Sequence, residues 1–186
     1  MPIAELGKHV HGRQWSSVEL TELFLNRLER IGPRYKAIVT ITRERALKQA
    51  HRADRELATG HYRGPLHGIP YGAKDLLATS GGIPTTWGAA PFRNQTFDYD
   101  ATVIKKLEKA GAVLVAKLAM IELAGGMGYR QPNACFTGRL AILGTLIHGR
   151  EAPQADQPSP YALVSSLSPS VLRHGAPSCA RPTTVG

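Results

Sequence analysis

Lys74 closes the apolar run Gly68-Ile69-Pro70-Tyr71-Gly72-Ala73, and it is followed at once by Asp75 and a little later by Thr85-Thr86-Trp87-Gly88. A lysine amine acts as a base near neutral pH only when burial and hydrogen bonds to uncharged groups lower its pKa by several units from about 10.4. The apolar approach suits that desolvation, and Gly72 and Ala73 leave room for a second backbone to come close. The competing reading is a surface lysine that ends a strand. Asp75 as a carboxylate would raise its neighbour's pKa, so a local turn or cap is its better role. Other candidates carry less. Cys135 and Cys179 have no His or Cys at metal-ligand spacing. Ser165, Ser166, Ser168 and Ser170 lack glycine-rich surroundings and fit linker composition. Gly125-Gly126-Met127-Gly128 reads as a loop or a close backbone approach rather than a phosphate cradle.

The elements around Lys74 follow from pattern. Ser16 with Glu19 forms a capping box, after which Leu20, Leu23, Phe24, Leu28 and Ile31 recur at helical spacing up to a stop at Gly32-Pro33. A second helix is predicted over 42–59, with Ala46, Ala50, Ala53 and Leu57 on one face and Gly60 as the C-terminal residue that tolerates positive φ. Residues 68–73 are predicted as a buried strand and 80–84 as a loop. Asp100 is the expected cap of a helix carrying Val103, Ile104 and Leu107 and ending at Gly111. The continuous apolar run 112–116 suits a parallel strand covered on both faces, and a helical piece is expected near 118–123. Strand, helix, strand in that order indicates α/β.

The chain has 186 residues, enough for one core, with a formal charge of +9. Its bases are spread along the chain, and Lys105, Lys106 and Lys109 share one short helical pattern, which reads as a solvated face. Basic runs interleaved with aromatics, as a nucleic-acid surface would use, are missing. Two cysteines without a pairing pattern, no signal-like segment and no apolar span lead to the expectation of a reduced, cytoplasmic protein away from membranes. Beyond Arg139 the texture changes: residues 140–186 contain no lysine and hold Pro153, Pro158, Pro160, Pro169, Pro177 and Pro182. Two regions are therefore expected, 1–139 as a partial α/β domain and 140–186 as an irregular, disordered tail.

The blocks Leu66 to Asp75 and Thr85 to Gly88 resemble the lysine-bearing half of the amidase signature family. The resemblance runs from about Leu20 to Arg139. It implies the N-terminal portion of an α/β/α fold with a mixed sheet, incomplete here, and an activity that cleaves carboxylic amide C–N bonds without metal or other cofactor. It also implies a Ser–cis-Ser–Lys triad, in which Lys74 draws a proton through a bridging serine while a second serine attacks the carbonyl. Gly125, Gly126, Met127 and Gly128, with Tyr129, match a stretch lining the substrate channel in relatives. The family's serine-bearing motifs, shaped like GGSSGGSA and GSxxxGSI, are absent from this sequence.

The tail suggests why. When each codon is begun at the third base of the present one, Arg150 to Pro158 permits GGSSGGSA, and Ser168 to Ser178 permits AIGSETWGSI. The two implied serines straddle Ala152/Pro153 and Ala176/Pro177, at the spacing of the family's paired serines. One nucleotide lost, or two gained, near codons 138–141 would produce this pattern. Three functions emerge as expectations. The first is an amidase acting on a small-molecule amide, inactive in this form for want of both serines. The second is the glutamine-hydrolysing subunit of a tRNA-dependent amidotransferase, the one case in which nucleic acid would be involved. The third is a non-enzymatic α/β fragment whose helices before Gly60 serve as an interaction module. Oligomeric state is not legible at this level.

Overall fold

A computed structural model describes residues 2–125. Helix α1 spans Ile3–His11, α2 Ser17–Tyr35 and α3 Arg43–Ala58, with strand β1, Ile38–Ile41, between the last two. Strand β2, Pro70–Lys74, then leads through a long loop to α4, Thr102–Lys109, and strand β3, Val113–Leu118. Short 3-10 turns lie at Ala90–Phe92 and Glu122–Ala124.

The three strands form one mixed sheet in the order β1-β3-β2. β3 runs antiparallel to β1 and parallel to β2, the latter pair joined through α4 in the βαβ manner. Every residue of β3 is buried. Val113 and Val115 pack with Leu25 and Leu28 of α2 and Ala46 and Ala50 of α3, while Leu114 between them packs with Ala73 and Ile104 of α4. The alternation of a strand thus meets helices on both faces, which explains the continuous apolar run 112–116. A further cluster joins Val10 of α1 to Leu20, Phe24, Leu57 and Ile69.

Several expectations hold. The Ser16–Glu19 capping box is complete, the buried face of α3 is Ala46, Ala50, Ala53 and Leu57, Gly60 takes positive φ, and α4 ends just before Gly111. Others are corrected. Helix α2 passes through Gly32-Pro33 and ends at Tyr35, with Lys36 in the left-handed region. Gly32 is a close-approach residue rather than a stop: a Cβ there would lie 2.7 Å from Ile38 Cγ1. Asp100 does not cap α4, whose N-cap is Ala101. Its carboxylate instead takes a bidentate pair from Arg45 at 3.0 and 2.8 Å and accepts Ser80 N–H at 2.8 Å. β3 continues to Leu118, and a single 3-10 turn stands beyond it in place of the expected helix. Helix α1 and strand β1 are additional to the elements expected from pattern.

Candidate functional site

Lys74 is the last residue of β2, in register with Leu118 of β3. Its carbonyl accepts Leu77 N–H at 3.0 Å, closing a turn, and Asp75 N–H donates to Leu118 O at 2.9 Å, so the backbone on either side of Lys74 is tied down. Its side chain is partly buried, and no described residue gives it a hydrogen-bond or ion-pair partner.

The neighbouring strand supplies a second lysine that sequence reasoning missed. Lys117, opposite Ala73, is fully buried. Its ammonium donates to Leu77 O at 2.6 Å, Thr79 Oγ1 at 3.0 Å and Thr85 Oγ1 at 2.9 Å, which uses all its N–H groups. The carboxylate of Asp75, also fully buried, stands 3.5 Å away. Asp75 Oδ2 accepts both the N–H and the hydroxyl of Thr86, and that hydroxyl in turn accepts Gly88 N–H at 3.2 Å. Asp75 Oδ1 has no hydrogen bond, and its compensation is the charge of Lys117. Both sequence blocks that stood out, Lys74-Asp75 and Thr85 to Gly88, are therefore joined around one buried ammonium.

Burial pushes the Asp75 carboxyl up, against the hydrogen bonds from Thr86 and the charge of Lys117. It pushes the Lys117 amine down, against the charge and hydrogen bonding of Asp75. Each charge is costly alone and is held by the other. Asp75 therefore departs from the expected local turn or cap: its carboxylate reaches past the turn to Thr86 and to Lys117 on the neighbouring strand. The signal for Lys117 was present: a lone lysine inside the run Ala112 to Met120 sits where a strand is covered on both faces, and an ammonium there requires buried acceptors.

A second charged cluster lies on α3. Glu56 pairs with Arg52 at 3.0 Å and with Arg63, and Arg63 also reaches the Glu108 and Lys109 carbonyls at 3.3 Å. Arg63 N–H donates to His67 Nδ1 at 3.1 Å, which leaves the imidazole proton on Nε2, 3.2 Å from Glu56 Oε2. These residues border a cavity of about 20 Å³, room for one water. Burial raises the Glu56 carboxyl, but the hydrogen bonds and charges of Arg63 and Arg52 outweigh it and hold the group at about 2. This cluster joins α3 to the loop before β2 and stands apart from Lys74.

Of the predicted channel residues, Gly125 is exposed at the end of the last 3-10 turn, while Gly126, Met127 and Gly128 lie outside the described residues, as do Tyr129 and the whole 140–186 tail. Among the described residues no group of His, Cys, Asp and Glu could hold a metal ion, and no helix is long and apolar enough to cross a membrane.

Comparison with known proteins places the chain in a family. A family model described as Amidase matches residues 19–138. The protein named AmiD of Mycobacterium tuberculosis, an amidase by its designation, is 43% identical over 122 residues, 66% of this chain and 26% of its own. A glutamyl-tRNA(Gln) amidotransferase subunit of Methylococcus capsulatus is 43% identical over 124 residues, 67% of this chain and 25% of its own. Among solved structures, the peptide amidase of Stenotrophomonas maltophilia superposes with a TM-score of 0.60 at 34% identity, covering 66% of this chain and 25% of that one. The chain thus spans about a quarter of the length of the curated relatives it matches.

Proposed function

From the premise that this chain belongs to the amidase family, we propose that its intact form hydrolyses carboxylic amides with Lys74 as the base. What supports this is the position of Lys74: the end of a buried strand, backbone tied on both sides, and an amine with no described partner to hold its proton. An amine so placed is available to a hydroxyl brought against it. In the proposed triad Lys74, once neutral, accepts a proton through a bridging serine, and the serine nucleophile then adds to the amide carbonyl. Backbone N–H groups of a glycine-rich loop would steady the resulting oxyanion.

The sequence carries neither serine-bearing motif, so the chain as it stands should not turn over amides. The purified protein with a chromogenic anilide is expected to show no hydrolysis beyond a Lys74→Ala control. Lys74-dependent turnover would reveal a nucleophile elsewhere in the chain. Resequencing codons 130–186 tests the shifted reading frame. If the frame is restored, the enzyme should hydrolyse amides, and Lys74→Ala should lower turnover by about 10²–10⁴-fold.

The amidotransferase reading stands as the alternative on one observation, the equal 43% identity of the M. capsulatus amidotransferase chain. Ammonia release from glutamine together with co-purification of a second protein would select it. Broad amide turnover by the restored-frame enzyme alone would select the free amidase.

A further inference from the structure

We propose that Lys117 and Asp75 are positioning residues, a buried ion pair that fixes the turn carrying Lys74 and thereby the direction in which the Lys74 amine is presented. The proposal rests on the reading of Lys74 as the base.

The geometry is a closed circuit. Lys74 O accepts Leu77 N–H at 3.0 Å, and Leu77 O accepts the Lys117 ammonium at 2.6 Å, so the Lys74–Leu77 turn is held at its far end by a charge inside the protein. At its near end Asp75 continues the pairing with β3 through its N–H on Leu118 O, while its side chain turns inward to Lys117 at 3.5 Å. Thr79, Thr85 and Thr86 complete the ring, so the loop after the turn is bound to the same two charges. A turn of this length needs no ammonium to form, because Asn, Asp, Gly and Pro make such turns at the surface. An ammonium with all its N–H groups committed to fixed acceptors is more than a turn alone requires, since apolar residues of similar volume often replace a buried ion pair without loss of stability. Two charges that must stay together do specify one arrangement. That arrangement sets where the residue before Asp75 points.

Acylation of the purified chain by acetic anhydride, with Lys105 and Lys106 on the exposed face of α4 as internal standards, reads the presentation of Lys74 without requiring turnover. Two variants remove the circuit in different ways: Asp75→Asn with Lys117→Met leaves no buried charge, and Thr85→Val removes a single acceptor. The expected result is a relative acylation rate at Lys74 that rises roughly fivefold or more in the double variant and less in Thr85→Val. Leu57→Ala, which loosens the separate cluster around Val10, Leu20 and Phe24, should leave Lys74 at the parental rate. The proposal is overturned by an unchanged Lys74 rate in the folded double variant, by an equal rise in Leu57→Ala, or by failure of both Thr85→Val and the double variant to fold, which would make the pair a requirement for folding alone. The two readings fail separately. Amide hydrolysis by the restored-frame enzyme without Lys74 would remove the base and leave the labelling result standing. Loss of hydrolysis in Lys74→Ala with unchanged labelling in the circuit variants would remove only the positioning role.

Discussion

Two lysines lie on adjacent strands, one step apart in register: Ala73 stands opposite Lys117, and Lys74 opposite Leu118. Lys117 is sealed, with a carbonyl, two threonine hydroxyls and a carboxylate around its ammonium. Lys74 is partly open and has no described partner. The same functional group thus meets opposite conditions within one small sheet. A lysine whose N–H groups are all spent on fixed acceptors organises structure, whereas one without a described partner is the one for which the base role is proposed. Position in the sheet separates the two environments; residue type does not.

The largest expected effect tests that sorting directly. Lys117→Met leaves the Asp75 carboxylate buried beside an apolar side chain, and removing one partner of a buried pair typically costs about 3–5 kcal/mol. Lys74→Met removes no described contact and should stay within about 0.5 kcal/mol of the parent. Urea denaturation of both variants measures the difference. Equal losses would erase the distinction between the two sites.

A smaller effect comes from the loop that brings Thr85 and Thr86 to the buried pair. Gly88 has φ +72°, and a Cβ there would lie 2.7 Å from Met120 O, a backbone atom that cannot step aside cheaply. Gly82 has the same φ of +72° with nothing within 4 Å. Gly82→Ala should therefore cost only the left-handed penalty, about 1–2 kcal/mol. Gly88→Ala should add the cost of moving the loop, about 1–3 kcal/mol more. Denaturation midpoints of the two variants separate the terms. If they coincide, the loop is less firmly seated against Met120 than its contacts imply.

Legibility from sequence divides along the same line. The Ser16–Glu19 box, the alanine face of α3 and the glycine at its end are local, and local chemistry writes them into adjacent residues. The misread elements depend on distant partners. Gly32 looked like a helix stop because the reason for its small size is Ile38, which approaches only after the chain has turned back. Asp100 looked like a cap because Arg45, which claims its carboxylate, lies on another helix. In the site, the Lys74 and Thr85 to Gly88 blocks were visible as motifs, but their connection was not. It runs through Lys117, which lies just past the apolar run 112–116 and belongs to β3 only because the strand is longer than that run.

The smallest effect sharpens the comparison by moving it from lysines to carboxylates. Asp75 is raised by burial, whereas Glu56, paired with Arg63 and Arg52 near the surface, is held at about 2 against an ordinary value of 4.5. The two therefore respond to acid with opposite signs. Folded Glu56 releases its proton more readily than unfolded Glu56, so its contribution is present above pH 4.5 and lost as pH falls towards 2. A carboxyl raised on folding binds its proton more readily in the folded state, so Asp75 loses no such contribution over the same acid range. Glu56→Gln should accordingly flatten the acid limb of the stability curve between pH 4.5 and 2 and leave the Lys74 acylation rate alone, because the α3 cluster does not touch the turn. Stability measured against pH for the parent and Glu56→Gln, with the same labelling assay, checks both halves. An acid limb of unchanged slope would mean that Arg52 and Arg63 do not hold the carboxylate in solution, and a shift in Lys74 labelling would mean that the two charge clusters communicate through β2.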